Sequence, residues 1–77
     1  MTVEQLRTLG KANPFRPLTI HLADGSILPV PHRDFLSMSP GGGTIIVFKP
    51  DDSFVFLDLS LVTDLEVQVP PDAGTNS

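Results

Sequence analysis

Two consecutive segments of this chain are apolar at nearly every position, and they restrict the fold more than any other feature. Residues 44–48 (TIIVF) and 54–59 (FVFLDL) are separated by the short polar stretch 49–53 (KPDDS). A β-strand with one solvated face alternates apolar and polar residues, and neither segment does so consistently. We therefore expect a hairpin of two strands whose two faces both need a cover, in a chain of only 77 residues.

The aromatic residues of this hairpin are the candidates for a surface that the rest of the chain leaves uncovered. Successive side chains of a strand point to opposite faces, so Phe54 and Phe56 share one face of their strand. If the other face fills the core, these rings need a partner. We expect Phe48, Phe54 and Phe56 to be buried between subunits, which predicts a homo-oligomer.

The length of the chain supports the same expectation. One domain of this size has a marginal core and often recruits a metal, disulfides or a second subunit. The sequence has no cysteine, which excludes disulfides and thiolate metal sites and is compatible with the cytoplasm. The N-terminal residues do not resemble a secretory signal, and the longest apolar run, 45–48, is far too short to cross a membrane. We expect a cytoplasmic protein without membrane association, with no identified protein partner.

The charge pattern argues against nucleic acid as the main partner. Nine acidic and five basic residues give a net charge of −4. The bases are scattered along the chain, whereas nucleic-acid binding usually needs a clustered basic face. Folding could still gather Arg16, Arg33 and Lys49, and Arg33 could instead pair with Asp34 or Asp64. Nucleic-acid binding is therefore the alternative function.

One domain is expected over residues 1–69, with a disordered polar tail over residues 70–77. The domain begins with a helix over about residues 2–12. Thr2 and Gln5 match a capping box, and Val3, Leu6 and Leu9 recur on one helical face. The five apolar and capping positions are Thr2, Val3, Gln5, Leu6 and Leu9. Phe15, after the helix, is expected to be a packing anchor.

Short strands separated by turn residues follow over residues 18–69. Residues 18–22 alternate, with Leu18, Ile20 and Leu22 expected inside, and Asp24-Gly25 marks a tight turn. Two prolines make 27–31 an edge, a bend or a bulge instead of a central strand. The remaining expected strands are the hairpin strands at 44–48 and 54–59 and a last one at 64–69, which makes five. Residues 35–38 are a candidate for an additional short strand. The fold class is therefore mainly β: an N-terminal helix followed by a five-stranded, strongly bent antiparallel sheet, either open or closed into a small barrel.

Two resemblances arise from these residues. The chain resembles a family of short, uncharacterised bacterial proteins, to which no activity is assigned. The resemblance rests on residues 2–6, 14–17, 20–25, 30–35 and 58–67. More remotely, the helix with five strands, the Asp24-Gly25 turn and the ending Leu65-Glu66-Val67 resemble the Sm-like barrel. That resemblance implies ring-shaped homo-oligomers assembled by strand pairing, and often RNA binding. The stretches that correspond to the Sm-like RNA site lack its Asn and its Arg, which weakens the RNA inference.

No residue pattern predicts catalysis, a metal or a cofactor. Ser39, His32 and Asp34 could form a triad on paper, but no serine has the surroundings of a nucleophile elbow. His21 and His32 lack the spacing of metal ligands, and Gly41-Gly42-Gly43 lacks the Lys and helix that a phosphate loop needs. We expect a non-enzymatic structural or interaction module that self-associates.

Overall fold

The computed structural model describes residues 3–68, which form one helix and six strands. Helix α1 covers Val3–Lys11. The strands are β1 (Leu18–Leu22), β2 (Ile27–Val30), β3 (Leu36–Met38), β4 (Thr44–Phe48), β5 (Phe54–Asp58) and β6 (Val62–Val67). Short 3-10 turns at Arg33–Phe35 and Leu59–Leu61 precede β3 and β6.

The strands form two three-stranded antiparallel sheets. Sheet A has the order β2-β1-β6, and sheet B has the order β3-β4-β5. The prediction of a mainly β fold with an N-terminal helix is confirmed, but the strands do not form a single five-stranded sheet, and neither sheet closes on itself within residues 3–68. The division falls where the chain leaves β2. Pro29 pairs with Thr19 within the ladder, but Pro31, directly after the strand, has no N–H to donate, and after the Arg33–Phe35 turn β3 pairs with β4.

One core lies between the two sheets and the helix. Its buried residues are Leu6, Leu18, Ile20, Leu28, Val30, Ile45, Val47, Leu57 and Val62. Within each sheet these residues recur at every second position, as expected for strands that are apolar on one face. The expected inward positions Leu18 and Ile20 are buried, whereas Leu22 is half-buried.

The loop between β3 and β4 holds α1 against this core. Leu6 is fully buried, and Val3 is half-buried against Gly42. Gly42 has a φ of +80°, and a Cβ added there would lie 2.0 Å from Val3 Cγ2. Arg7 Nη2 donates to the Pro40 carbonyl at 2.7 Å. Because a helix of nine residues is unstable alone, this loop supplies contacts that α1 needs. Thr2, its expected cap, lies outside the described residues.

Three turns share one local device, an aspartate that binds the serine two residues later. The pairs are Asp24–Ser26, Asp51–Ser53 and Asp58–Ser60. In the first, Asp24 Oδ1 accepts from the Ser26 backbone N–H at 2.9 Å and from its hydroxyl at 2.6 Å. Such Asx turns fix a tight turn locally, without long-range contacts.

The last strand begins earlier than the sequence predicts. The Leu59–Leu61 turn, which Asp58 caps, places Val62 directly opposite Leu22. Strand β6 therefore starts at Val62 instead of residue 64. Its expected end, Val69, and the expected tail over residues 70–77 lie outside the described residues.

Candidate interaction surface

The outer face of sheet B carries a contiguous set of apolar side chains. β4 contributes Ile46 and Phe48, and β5 contributes Phe54 and Phe56, which lie directly opposite them as the pairs Ile46–Phe56 and Phe48–Phe54. We call these four residues the aromatic face. Phe48, Phe54 and Phe56 are 36, 52 and 66 % exposed, and Ile46 is half-buried.

The three rings of the aromatic face contact one another in sequence. The ring centroids of Phe48 and Phe54 lie 5.9 Å apart at an interplanar angle of 48°, and those of Phe54 and Phe56 lie 5.4 Å apart at 89°. Tilted and edge-to-face pairs at these distances are favourable, by about 0.5–1.5 kcal/mol each. The rings therefore form one contiguous apolar surface.

Polar residues border this face at both ends of the hairpin. Thr44 and Asp58 lie opposite each other at one end, and both are exposed. The exposed turn over residues 49–53 forms the other end. An apolar area rimmed by polar residues is typical of a protein interaction site.

Strand β5 adds an open edge to the same surface. In sheet B it pairs with β4 alone, so within residues 3–68 its second edge has no strand partner. A free edge beside exposed apolar side chains is a template for pairing with another chain.

The structure brings together the three phenylalanines that the sequence singled out, and it adds Ile46. Ile46 could have been found from its i, i+2 spacing to Phe48, which places both on one face of β4. Burial of these residues between subunits stays a prediction.

The residues considered for catalysis and metal binding have other partners. His21 Nε2 lies 3.0 Å from Glu66 Oε1, across β1 and β6. Ser39 Oγ accepts from the Thr44 backbone N–H at 3.2 Å, and His32 is exposed beside Phe35, with ring centroids 6.1 Å apart. In the part of the chain that the structure describes, no three His, Cys, Asp or Glu side chains come together as metal ligands.

Arg33 does not form the ion pair considered from the sequence. Its Nε donates to the Gly10 carbonyl at 3.0 Å and its Nη2 to the Ala12 carbonyl, so it caps the end of α1 instead of binding Asp34 or Asp64. The last carbonyls of a helix lack partners within the helix, which explains this preference. The guanidinium also lies 5.8 Å from the ring centroid of Phe15, which packs against the core as predicted.

Comparisons with protein-family models, curated proteins and solved structures found no match to this chain. Among residues 3–68, α1 is the one α-helix, and its nine residues are too few to cross a membrane. The resemblances to the short bacterial family and to the Sm-like barrel stay predictions.

Proposed function

We propose that this chain is a non-enzymatic interaction module that self-associates through the aromatic face. The observation that carries the proposal is the contiguity of Ile46, Phe48, Phe54 and Phe56 on the outer side of sheet B, where Phe56 is 66 % exposed. No described element of the chain covers these rings. A second copy of the chain supplies a cover of the same apolar chemistry.

The exposed apolar area indicates whether the partner must also bring an apolar surface to the interface. With about 150–250 Å² for a whole phenylalanine, the exposed parts of the three rings amount to roughly 300 Å². Burying that area is worth roughly 7 kcal/mol, whereas association costs on the order of 4–15 kcal/mol. One face alone therefore barely offsets the cost of association. Two identical faces bring roughly twice the gain, which favours a second copy over a polar partner.

Two modes of assembly fit this surface. Two sheet faces can pack against each other at about 10 Å, with their strands nearly aligned. Alternatively, the free edge of β5 can pair with a strand of the next subunit, as the Sm-like resemblance implies.

The surroundings of the aromatic face disfavour nucleic acid as its partner. Bases stack on aromatic rings, but their phosphates need cations nearby. The hairpin that carries the face has Asp51, Asp52 and Asp58 at its ends, against Lys49 alone. The net charge at these positions is negative, so the electrostatic contribution opposes binding.

The test is the oligomeric state of the full chain and of two matched variants, measured by sedimentation velocity at 1 to 100 µM with circular dichroism as the check on folding. We expect the native chain to associate and Phe56→Asp to be a folded monomer. Ile27→Asp is the control, because Ile27 is similarly exposed (56 %) but lies on β2 of sheet A. It should associate like the native chain. A native chain that stays monomeric throughout this range, or an unchanged oligomer of Phe56→Asp, would overturn the proposal.

A further inference from the structure

A second surface, on the other side of sheet B, gathers most of the positive charge of this acidic chain. A pocket of about 290 Å³ lies between the C-terminal half of α1 and the chain that leads into and out of β3. Arg7 and Lys11 line it from the helix, and Arg33 from the turn before β3. These are three of the five basic residues of the chain, and none of the pocket's lining residues is acidic.

This grouping was not visible in the sequence. The cations that folding was expected to gather were Arg16, Arg33 and Lys49, and of these only Arg33 lines the pocket. Arg7 and Lys11 lie four residues apart and therefore share a helix face. The fold adds Arg33 because it caps the end of the same helix through the Gly10 carbonyl.

Among residues 3–68, no carboxylate is paired with the cations of the pocket. Arg7 donates to the Pro40 carbonyl, and Arg33 donates to the Gly10 and Ala12 carbonyls, all of which are uncharged acceptors. The described carboxylate that contacts a basic side chain is Glu66, which lies against His21 on the outer face of sheet A. A guanidinium has five N–H donors, so each arginine keeps donors beyond those that these carbonyls use. The Nε of Arg7 is buried and has no hydrogen-bond partner among the described residues.

The same carbonyl contacts position the two guanidinium groups. A side chain that is already held by hydrogen bonds loses little conformational entropy when a ligand binds. Guanidinium groups match carboxylate and phosphate oxygens in geometry and form short, charge-assisted hydrogen bonds with them. The arrangement therefore favours an oxyanion over other ligands.

Apolar side chains form the rest of the pocket. Leu36 and Met38 lie opposite the buried Val47 and Ile45 in the β3–β4 ladder, so they point to the inner side of sheet B, away from the aromatic face. Pro40 adds a third apolar surface. The volume equals that of about ten water molecules, which suits a small organic molecule at the lower end of known ligand pockets.

We propose that this pocket binds a small organic anion, with its carboxylate or phosphate head between Arg7, Lys11 and Arg33 and its short apolar body against Leu36 and Met38. The site is independent of the aromatic face, since the two lie on opposite sides of sheet B. Lys11 is the residue that separates ligand binding from helix capping. It is exposed and, unlike the two arginines, makes no hydrogen bond to a carbonyl among the described residues.

The experiment is an NMR titration of the ¹⁵N-labelled full chain with four probes: hexanoate, hexyl phosphate, inorganic phosphate and 1-hexanol. We expect saturating shifts of the amides of residues 7–11 and 36–40 with hexanoate or hexyl phosphate. Inorganic phosphate lacks the apolar body and hexanol lacks the anionic head, so each should bind at least about tenfold more weakly. The tighter of the two organic anions identifies the head group.

Two charge-matched variants complete the test. Lys11→Gln should weaken binding of the better probe about fivefold, because one cation at the head group is lost. Lys49→Gln changes the net charge equally but lies in the β4–β5 turn, outside this pocket, and should bind like the native chain. Arg33→Lys keeps the positive charge but loses the paired N–H donors of the guanidinium group, and should also weaken binding if the variant folds. Absence of saturating shifts, equal losses in Lys11→Gln and Lys49→Gln, or equally tight binding of hexanol would overturn the proposal.

Discussion

The two sheets of this protein have similar inner faces and very different outer faces. On the inner side, Ile20 of sheet A and Ile45 of sheet B are both fully buried. On the outer side, sheet A carries a polar pair, His21 and Glu66, with 3.0 Å between Nε2 and Oε1. The equivalent side of sheet B carries the aromatic face, of which Phe56 is the most exposed residue.

This difference distinguishes apolar surface that is buried in the core of the domain from apolar surface that stays exposed. Alternation of apolar and polar residues in β1 marks a strand whose outer face meets water. β4 and β5 lack that alternation, and the structure shows that the excess is not used in the core. The inner faces therefore account for folding, and the outer face of sheet B is available for association.

The strongest test of the difference between the inner and outer faces is a pair of identical substitutions at neighbouring positions of β4. Ile45 and Ile46 follow each other in β4, but Ile45 is fully buried and Ile46 lies on the aromatic face. Ile45→Ala should lower the free energy of unfolding by about 2–5 kcal/mol, because it leaves a cavity in the core. Ile46→Ala should cost about 1 kcal/mol or less. Urea denaturation measures both.

Self-association would blur this result, so both substitutions are made in Phe56→Asp, the variant expected to be monomeric. If the two alanine variants lose the same stability in that background, the outer face contributes to the fold of the monomer. The distinction between the two faces would then be wrong.

The sequence predicted the local features of each sheet but not how the strands are divided between them. Leu18 and Ile20 were identified as inward-facing because alternation is a local signal, and the turn after β1 was identified from Asp24-Gly25. Gly25 has the positive φ, +91°, that the motif requires. The division into two sheets depends on which strand β3 pairs with, and a three-residue strand carries too little pattern to specify its partner.

The same distinction applies to the candidate sites. Phe54 and Phe56 belong to one strand, so their shared face follows from their spacing. Arg7 and Arg33 are separated by 26 positions in the sequence. They line the same pocket because Arg7 donates to the Pro40 carbonyl and Arg33 to the Gly10 carbonyl. Such contacts are tertiary and leave no periodic signal in the sequence.

A smaller loss of stability is expected from a substitution at Gly42, which tests the contact between the β3–β4 loop and α1 on the inner side of sheet B. The loop after β3 packs Gly42 against Val3 of α1, at a φ of +80°. Gly42→Ala should lower the free energy of unfolding by roughly 2–3 kcal/mol, because it combines backbone strain with a clash at Val3. Thermal denaturation followed by circular dichroism measures the loss.

Gly43→Ala is the matched control for this loop. A Cβ at Gly43 meets nothing within 4 Å, and its φ lies outside the left-handed region. This variant should be neutral or more stable by up to about 1 kcal/mol, since alanine restricts the unfolded chain. Equal losses in the two variants would mean that the contact between Gly42 and α1 does not hold the helix on the core.

The smallest expected effect concerns a feature that the two sheets share. The Ser26 hydroxyl, followed by the Ser26 backbone N–H, lowers the pKa of Asp24 in the β1–β2 turn. The Ser53 hydroxyl and backbone N–H lower the pKa of Asp51 in the β4–β5 turn in the same way. The hydroxyl contacts are both 2.6 Å. A carboxyl group whose pKa is lower in the folded state stabilises the fold above its unfolded pKa of about 3.8. That contribution is lost as the pH falls through the lower, folded pKa.

The stability of the native chain should therefore decrease as the pH is lowered below about 4, and each turn should contribute to the decrease. Asp24→Asn and Asp51→Asn remove the titrating group, so each variant should be slightly less stable than the native chain at pH 7 and approach it in strong acid. Urea midpoints at pH 7, 4 and 2.5 measure the difference. Because the Asp–Ser hydrogen bonds of the two turns are the same, both variants should flatten the profile, Asp51→Asn slightly more because Lys49 also lowers the pKa of Asp51. Ser26→Ala should act in the same direction as Asp24→Asn. A flattened profile in one variant alone would show that the contrast between the sheets extends beyond their outer faces into the turns that connect their strands.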